Sequence, residues 1–370
     1  MNIEPADSLY SVSQPFALRG ELHQSLTVGL GFDLLTRRVI PAARAMGAAM
    51  QALSPGECLD MGLPKREAEW LMAASAFTPQ GKALTSLVAR VRVGKTERRF
   101  LITGKADASG KPQTFTSMPM SWNETFGAPG HPENPLGCGL APDAQTGRAR
   151  PPRLVGVEDP HGRPACPGAM GAWPARMRNM GSHDAHWRQT RCPDLPDDCD
   201  LSYLNLAQRA QRLPELKGDE AVFLSGVHAE HPEIQTRLPG KTVRVHVRRE
   251  GKAEEVSILP YDTLWLFPNQ LVGLLLGHLL LPCSDSAGSD IGAVRFEVTP
   301  PDPVEAAPPP DAPEATATPP KMVETAASAP ETETLAAGAA AASALALAAA
   351  PPGAKSDAPP PAEAAPSPPA

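Results

Sequence analysis

The chain has 370 residues with 34 Lys+Arg against 41 Asp+Glu, net −7; residues 301–370 hold 9 of the acidic side chains and 2 of the basic ones, leaving 32 of each sign in the rest. A neutral body excludes a general binder of nucleic acid or anionic membrane, because both need a positive field. The last 70 residues contain 17 Pro and 25 Ala without an aromatic residue or a Cys, too little apolar surface to offset ~1–2 kcal/mol of backbone entropy per residue.

A folded domain is therefore expected over residues 8–299, followed by a disordered, acidic Pro/Ala-rich tail over 300–370. At the start, Met1-Asn2-Ile3-Glu4-Pro5 has neither a basic region nor an apolar core, so no signal peptide is expected. Gly29-Leu30-Gly31 lacks the third glycine of a dinucleotide fingerprint. Residues 41–53 and 66–75 have helical composition, although Trp70-Leu71-Met72 also suits a buried strand.

Strand patterns then dominate. Residues 86–93 put Leu87, Ala89, Val91 and Val93 on one face and Arg90 and Arg92 on the other; Gly94-Lys95 offers a turn, and 99–102 can return. Gly104 to Lys111 is one residue too long for a phosphate loop, with Pro112 where Ser or Thr should stand. Residues 104–215 are rich in loops, dense in Pro, Gly, Trp and His; such loops are usually functional or pinned by aromatics. Val243, Val245 and Val247 alternate with Arg244, His246 and Arg248, and Val256-Ser257-Ile258 comes back after Glu250-Gly251-Lys252. Residues 261–267 and 294–298 complete a mainly β, mostly antiparallel pattern, a β-rich α+β fold with long Pro/Gly loops. The apolar run 271–281 is well short of the ~20 residues a bilayer needs; the Ala-rich 335–350 is weakly hydrophobic, so neither is expected to span.

The six cysteines, Cys58, Cys138, Cys166, Cys192, Cys199 and Cys283, form no CxxC pair and read as reduced cytosolic thiols. His183, His186, Cys192 and Cys199 are zinc-ligand types at unsuitable spacing. Ser182-His183-Asp184 holds the three triad residue types, but adjacent residues cannot adopt triad geometry, and no GxSxG elbow exists. Glu124, Glu158, Asp159, Asp219 and Glu220 could supply paired carboxylates, yet such loop residues usually cap and turn. No catalytic residue, metal ligand or cofactor is therefore expected. What stands out is a set of aromatic residues in the loops: Trp122, Phe126, Trp173, Trp187 and Tyr203. Each is a candidate either for partner binding or for anchoring its loop.

These loop segments also carry a resemblance. Ser117-Met118-Pro119-Met120-Ser121-Trp122-Asn123-Glu124-Thr125-Phe126-Gly127 with Asn134-Pro135-Leu136-Gly137-Cys138-Gly139 resembles the P-x-x-W-E-x-A-F-G … N-P-x-G-x-G block of a bacterial domain of unknown function. That family is encoded beside type VI secretion spike (VgrG) and PAAR-repeat effector genes. Further segments follow in the family's order: Glu158-Asp159-Pro160, Pro167-Gly168-Ala169-Met170-Gly171, Gly181 to Trp187, Leu195 to Asp200 with Tyr203-Leu204-Asn205, Gly218-Asp219-Glu220, Arg237 to Gly240, and Asp262 to Pro268. Val155-Gly156, Met170 and Gln208 to Gln211 depart from the pattern. The likeness, over roughly residues 10–298, implies a β-rich fold with strand at 69–77. It also implies a non-enzymatic cytoplasmic adaptor or chaperone that protects an effector with a PAAR-like domain and helps load it on the spike. The alternative from the residues alone is a zinc-dependent or hydrolytic enzyme built on the 120–240 loops.

Overall fold

The computed structural model describes residues 1–300 apart from Pro5, Arg19, 54–57, 143–146, 159–161 and Pro193. The expectation of a disordered tail, and Asp159-Pro160 of one family segment, lie outside the described residues.

The protein is mainly β, with three principal sheets. The largest has six strands in the order Arg212–Leu213, Ala68–Met72, Tyr261–Phe267, Val272–Pro282, Glu21–Asp33, Leu9–Leu18. The apolar 271–281 run forms its centre, paired with Tyr261–Phe267 on one side and Glu21–Asp33 on the other. It reads as unbroken hydrophobicity because both of its faces are covered. Leu275 faces the main hydrophobic core, while Leu274 and Leu276 face a second, smaller one.

That second core lies under the helix Ala42–Ala52, whose Ala45, Ala48 and Ala49 are buried against the sheet. Gly31 explains the close approach: a Cβ there would stand 2.4 Å from the Cβ of Ala45. Gly31 thus serves helix-on-sheet contact, whereas a Cβ on Gly29 would meet Leu276 and Leu274 of the neighbouring strand.

The second sheet runs Leu154–Gly156, Thr96–Thr103, Ser86–Val93, Ala221–Ser225, Glu233–Arg237, all antiparallel. Ala89, Val91 and Val93 point inward as their alternation predicts, and Arg90 on the opposite face pairs with Glu97 at 2.7 Å. The third sheet orders Asn2–Ile3, Ile291–Thr299, Thr242–Arg249, Glu255–Ile258, with Val243, Val245 and Val247 buried. Inner residues of all three sheets join in one hydrophobic core. Antiparallel pairing prevails, with parallel ladders where Ala68–Met72 meets Tyr261–Phe267, Asn2–Ile3 meets Ile291–Thr299, and Phe126–Gly127 meets Cys138–Gly139.

The helical reading of 66–75 is corrected. Ala68–Met72 is a strand, followed by the short strand Ser75–Phe77, as the family resemblance implies. Trp70 and Met72 enter the main core and Leu71 the smaller one. Burial on both faces outweighs the helix propensity of Ala68 and Glu69. Among the described residues no helix is long and apolar enough to cross a membrane.

Candidate functional site

The loops between residues 117 and 213 are laid over the Ala68–Met72 side of the central sheet. Trp122 is buried in a short 3-10 turn, donates from Nε1 to the Ala169 carbonyl at 2.7 Å, and meets the Trp173 ring edge-on at 4.7 Å. The amide of the fully buried Asn134 donates to the carbonyls of Trp122 (3.0 Å) and Phe126 (2.8 Å). Where these turns cross, a Cβ on Gly137 would stand 2.6 Å from the Cα of Gly127, so the crossing requires glycine. Further along, Met170 N–H donates to Leu206 O at 2.7 Å and Met72 N–H to Pro167 O at 2.9 Å. The buried Gln211 amide reaches the carbonyls of Trp70 (3.2 Å) and Pro167 (3.1 Å). Segments far apart in the chain therefore make one platform, held by main-chain hydrogen bonds that local sequence does not announce.

Beneath it lies a buried charge network on the helix-covered face of the central sheet. Lys65 and Glu69 are wholly inaccessible, with Nζ 2.7 Å from Oε1. Lys65 also donates to the Thr263 hydroxyl, and its Nζ is 3.7 Å from Asp60. Burial opposes the ammonium charge, but Glu69, Asp262 and Asp60 outweigh it and raise the Lys65 pKa. His278, mid-strand in an apolar run, lies between Asp262 (Nδ1 to Oδ2, 2.7 Å) and Asp60. Burial disfavours the imidazolium, yet hydrogen bonds to both carboxylates prevail and lift its pKa to about 9, so both ring nitrogens donate at neutral pH. Burial would push the Asp60 carboxyl up, but His278 and Lys65 hold it down at about 2.

This network also fixes the platform. The Glu69 carboxylate accepts from the Asn205 side-chain amide (3.0 Å), Leu206 N–H (3.1 Å) and Ala207 N–H (2.9 Å). It thereby clamps the segment that runs from Tyr203 through Gln208 and Arg209 to Arg212. That segment forms one wall of a cavity of about 680 Å³, within the range of ligand clefts. Arg98, Arg163, Arg176, Arg209 and Arg212 line it, with Glu133 the only carboxylate in the lining among the described residues. Arg176 is 8% exposed and donates to the carbonyls of Tyr203 (3.0 and 2.8 Å) and Gly171 (3.4 Å); its guanidinium stands 4.6 Å from the Tyr203 ring centre. Burial pulls the Arg176 pKa below its ordinary value. Arg212 is tied to Ala207 O (3.3 Å) and Glu67 (3.2 Å).

Of the aromatic residues singled out in the sequence, Trp122, Trp173 and Tyr203 converge here. Trp173 is part of the lining and Trp122 stands behind it. Phe126 sits in the short parallel ladder with Cys138. Trp187 lies on the helix Ala185–Thr190 and is anchored by Nε1 donating to Asp194 O at 2.7 Å. The structure disperses the other candidates. The Ser182 hydroxyl donates to Asp198 at 2.7 Å, not to His183, whose Nδ1 is 3.2 Å from the Gly181 carbonyl and whose ring lies edge-on to Trp187. Asp184 caps its helix through Trp187 N–H at 2.8 Å. Glu124 pairs with Arg153 (2.7 Å) and Arg150 (3.4 Å), Glu158 with Arg99 (2.9 Å), and Glu220 accepts the turn N–H groups of Lys217 and Gly218. Among the described residues no cluster of three or more His, Cys, Asp or Glu side chains could hold a metal ion.

The fold and platform define a β-rich protein with an arginine-lined cavity set beside its long loops. The chain belongs to the family described as "uncharacterized protein conserved in bacteria" (DUF2169), whose model matches residues 27–278. Comparison with curated proteins and with solved structures gave no match.

Proposed function

We propose that this protein is a non-enzymatic adaptor or chaperone that holds a type VI secretion effector with a PAAR-like domain in the cytoplasm and helps load it on the VgrG spike. The partner class comes from the resemblance of the loop segments. The observation that carries the binding role is that several of these segments form one hydrogen-bonded platform beside a cavity of about 680 Å³, which is lined mainly by residues between and beyond them. Concave sites with a few convergent polar groups are the usual places for recognition. The local engagement of Ser182, His183 and Asp184 is consistent with this reading.

Binding a partner that is unstable alone stabilises it by RT ln(1 + [L]/Kd), about 2.7 kcal/mol at a hundredfold excess over Kd. The test is co-expression with an effector that carries a PAAR-like domain, sought among the neighbouring genes, followed by affinity capture and size exclusion. A stoichiometric complex, with more soluble effector than on expression alone, is expected. Separate elution and unchanged solubility would sink the proposal.

A further inference from the structure

Two histidines cap turns with a ring nitrogen that accepts hydrogen bonds. His228 Nδ1 accepts from the N–H groups of Glu230 (3.1 Å) and His231 (3.0 Å), and His131 Nδ1 from those of Glu133 and Asn134 (both 3.3 Å). A neutral imidazole has one N–H and one lone pair, so a ring held this way carries its proton on Nε2. The next proton goes to Nδ1, the atom that holds the turn. His23 and His183 differ, because their Nδ1 atoms face the carbonyls of Glu21 (3.1 Å) and Gly181 (3.2 Å); charging those rings keeps the bond.

At His228 a second feature acts in the same direction. The His231 ring lies 4.8 Å away, centre to centre, tilted by 35°. A charged His228 therefore faces another titratable ring as well as two N–H groups. We infer that the turn from Val227 to Pro232, between the strands Ala221–Ser225 and Glu233–Arg237, is an acid-opened latch, closed while His228 is neutral and released when a proton from solvent takes Nδ1. Partial burial and His231 hold the His228 pKa below the ordinary 6.5, with Glu230 opposing them. The latch is thus closed above pH 6.5 and opens as pH falls below it. A cavity of about 210 Å³ beside the ring holds one further ionisable group among the described residues, Glu233; the segments packed against the turn present Phe77, Thr78, Pro79, Leu87 and Val88 there, none of them titratable. The turn is also sewn to its surroundings. Gly226 N–H donates to Pro232 O (3.0 Å), and Gly226 O accepts from Phe77 N–H (2.9 Å). Phe77 ends the strand Ser75–Phe77, which pairs with Ser117–Pro119 just ahead of Trp122. The latch therefore abuts the strand pair from which the loop platform starts, and it works independently of any partner.

The test is amide hydrogen exchange of the full chain, read residue by residue by NMR at about pH 7.5 and about pH 5 and corrected for the intrinsic pH dependence of exchange. Protection at Glu230 and His231 should fall at least about tenfold at the lower pH, because both lose their acceptor. The His228 ring should titrate from its Nε2–H form with a midpoint below 6.5. His228→Asn supplies a side-chain oxygen that accepts the same N–H groups without titrating, so its protection should be equal at the two pH values. His231→Asn keeps the His228 cap and should retain the loss, with the His228 midpoint moved towards 6.5. Unchanged protection of Glu230 and His231 in the parent, an Nδ1–H form of neutral His228, or an undiminished loss in His228→Asn would overturn the inference.

Discussion

Replacing Lys65 with Met tests the claim that a buried charge network holds the loop platform in place. The side chain is wholly inaccessible, and its ammonium lies 2.7 Å from Glu69, itself inaccessible. Lys65→Met keeps the apolar stem but leaves the Glu69 carboxylate with only the Asn205, Leu206 and Ala207 donors. Breaking one half of a buried pair costs about 3–5 kcal/mol, since the other charge stays in low dielectric. That is a large share of a total stability of about 5–15 kcal/mol. At roughly 2 °C per kcal/mol for a body this large, the melting midpoint should fall by about 6–10 °C. Differential scanning calorimetry reads the midpoint, and urea titration checks that the m-value is unchanged. The double variant Lys65→Met/Glu69→Gln removes both charges and should lose less than the sum of its single changes, the sign of direct coupling. A Lys65→Met midpoint within about 2 °C of the parent, or strict additivity in the double variant, would refute the reasoning.

The pH dependence of stability follows from His278. Its folded pKa of about 9 lies above the ordinary 6.5, so its contribution is full below pH 6.5 and lost as pH rises through 9. The size is about 3 kcal/mol, at about 1.4 kcal/mol per pKa unit. Melts between pH 6 and 10 should show that decline in the parent and a flatter profile in His278→Gln; parallel profiles would contradict it. Asp60, held at about 2, contributes stability above pH 3.8 that is lost as pH falls through 2. The Asp60–His278 contact enters both shifts, so the two contributions overlap and are not summed. Gly31→Ala places a Cβ 2.4 Å from that of Ala45 and should destabilise by about 1–3 kcal/mol in urea titration. Trp122→Ala removes a buried ring and its bond to Ala169 and should cost about 3–5 kcal/mol in the same measurement. The protein purified without chelator should carry no stoichiometric zinc by elemental analysis; zinc lost in His183→Ala/Cys192→Ala would favour the enzyme alternative.

Strands with one face covered and the other open were the legible part of the fold. Ser86–Val93 and Thr242–Arg249 each expose one face of their sheet, so alternation of valine with arginine marks them. Leu9–Leu18 and Glu21–Asp33 were hidden. The first is an edge strand that tolerates Pro15, and the second carries two glycines, of which Gly31 serves helix contact. Both features look like loop signals in a single sequence. The platform's aromatic anchors could be named from the sequence, but not the carbonyls they meet. The charge network was missed because Asp60 and His278 are 218 positions apart. Its one local signal was present: Asp262 and His278 interrupt strands that are otherwise apolar, and a charge buried on both sides needs a partner. The cavity's arginines come from the strands Thr96–Thr103 and Arg212–Leu213, from the short helices Pro174–Met177 and Arg209–Gln211 and from a loop, so no motif gathers them.

The central claim, that this chain keeps a secreted partner stable until loading, is tested most directly in the native strain. This gene is deleted, and any effector with a PAAR-like domain encoded beside it is quantified by mass spectrometry beside its transcript. A gain of about 2.7 kcal/mol on binding is enough to change steady-state abundance several-fold. The account predicts a several-fold fall in effector protein with an unchanged transcript, restored by the full chain supplied in trans. Unchanged effector protein and unchanged secretion in the deletion strain would contradict it.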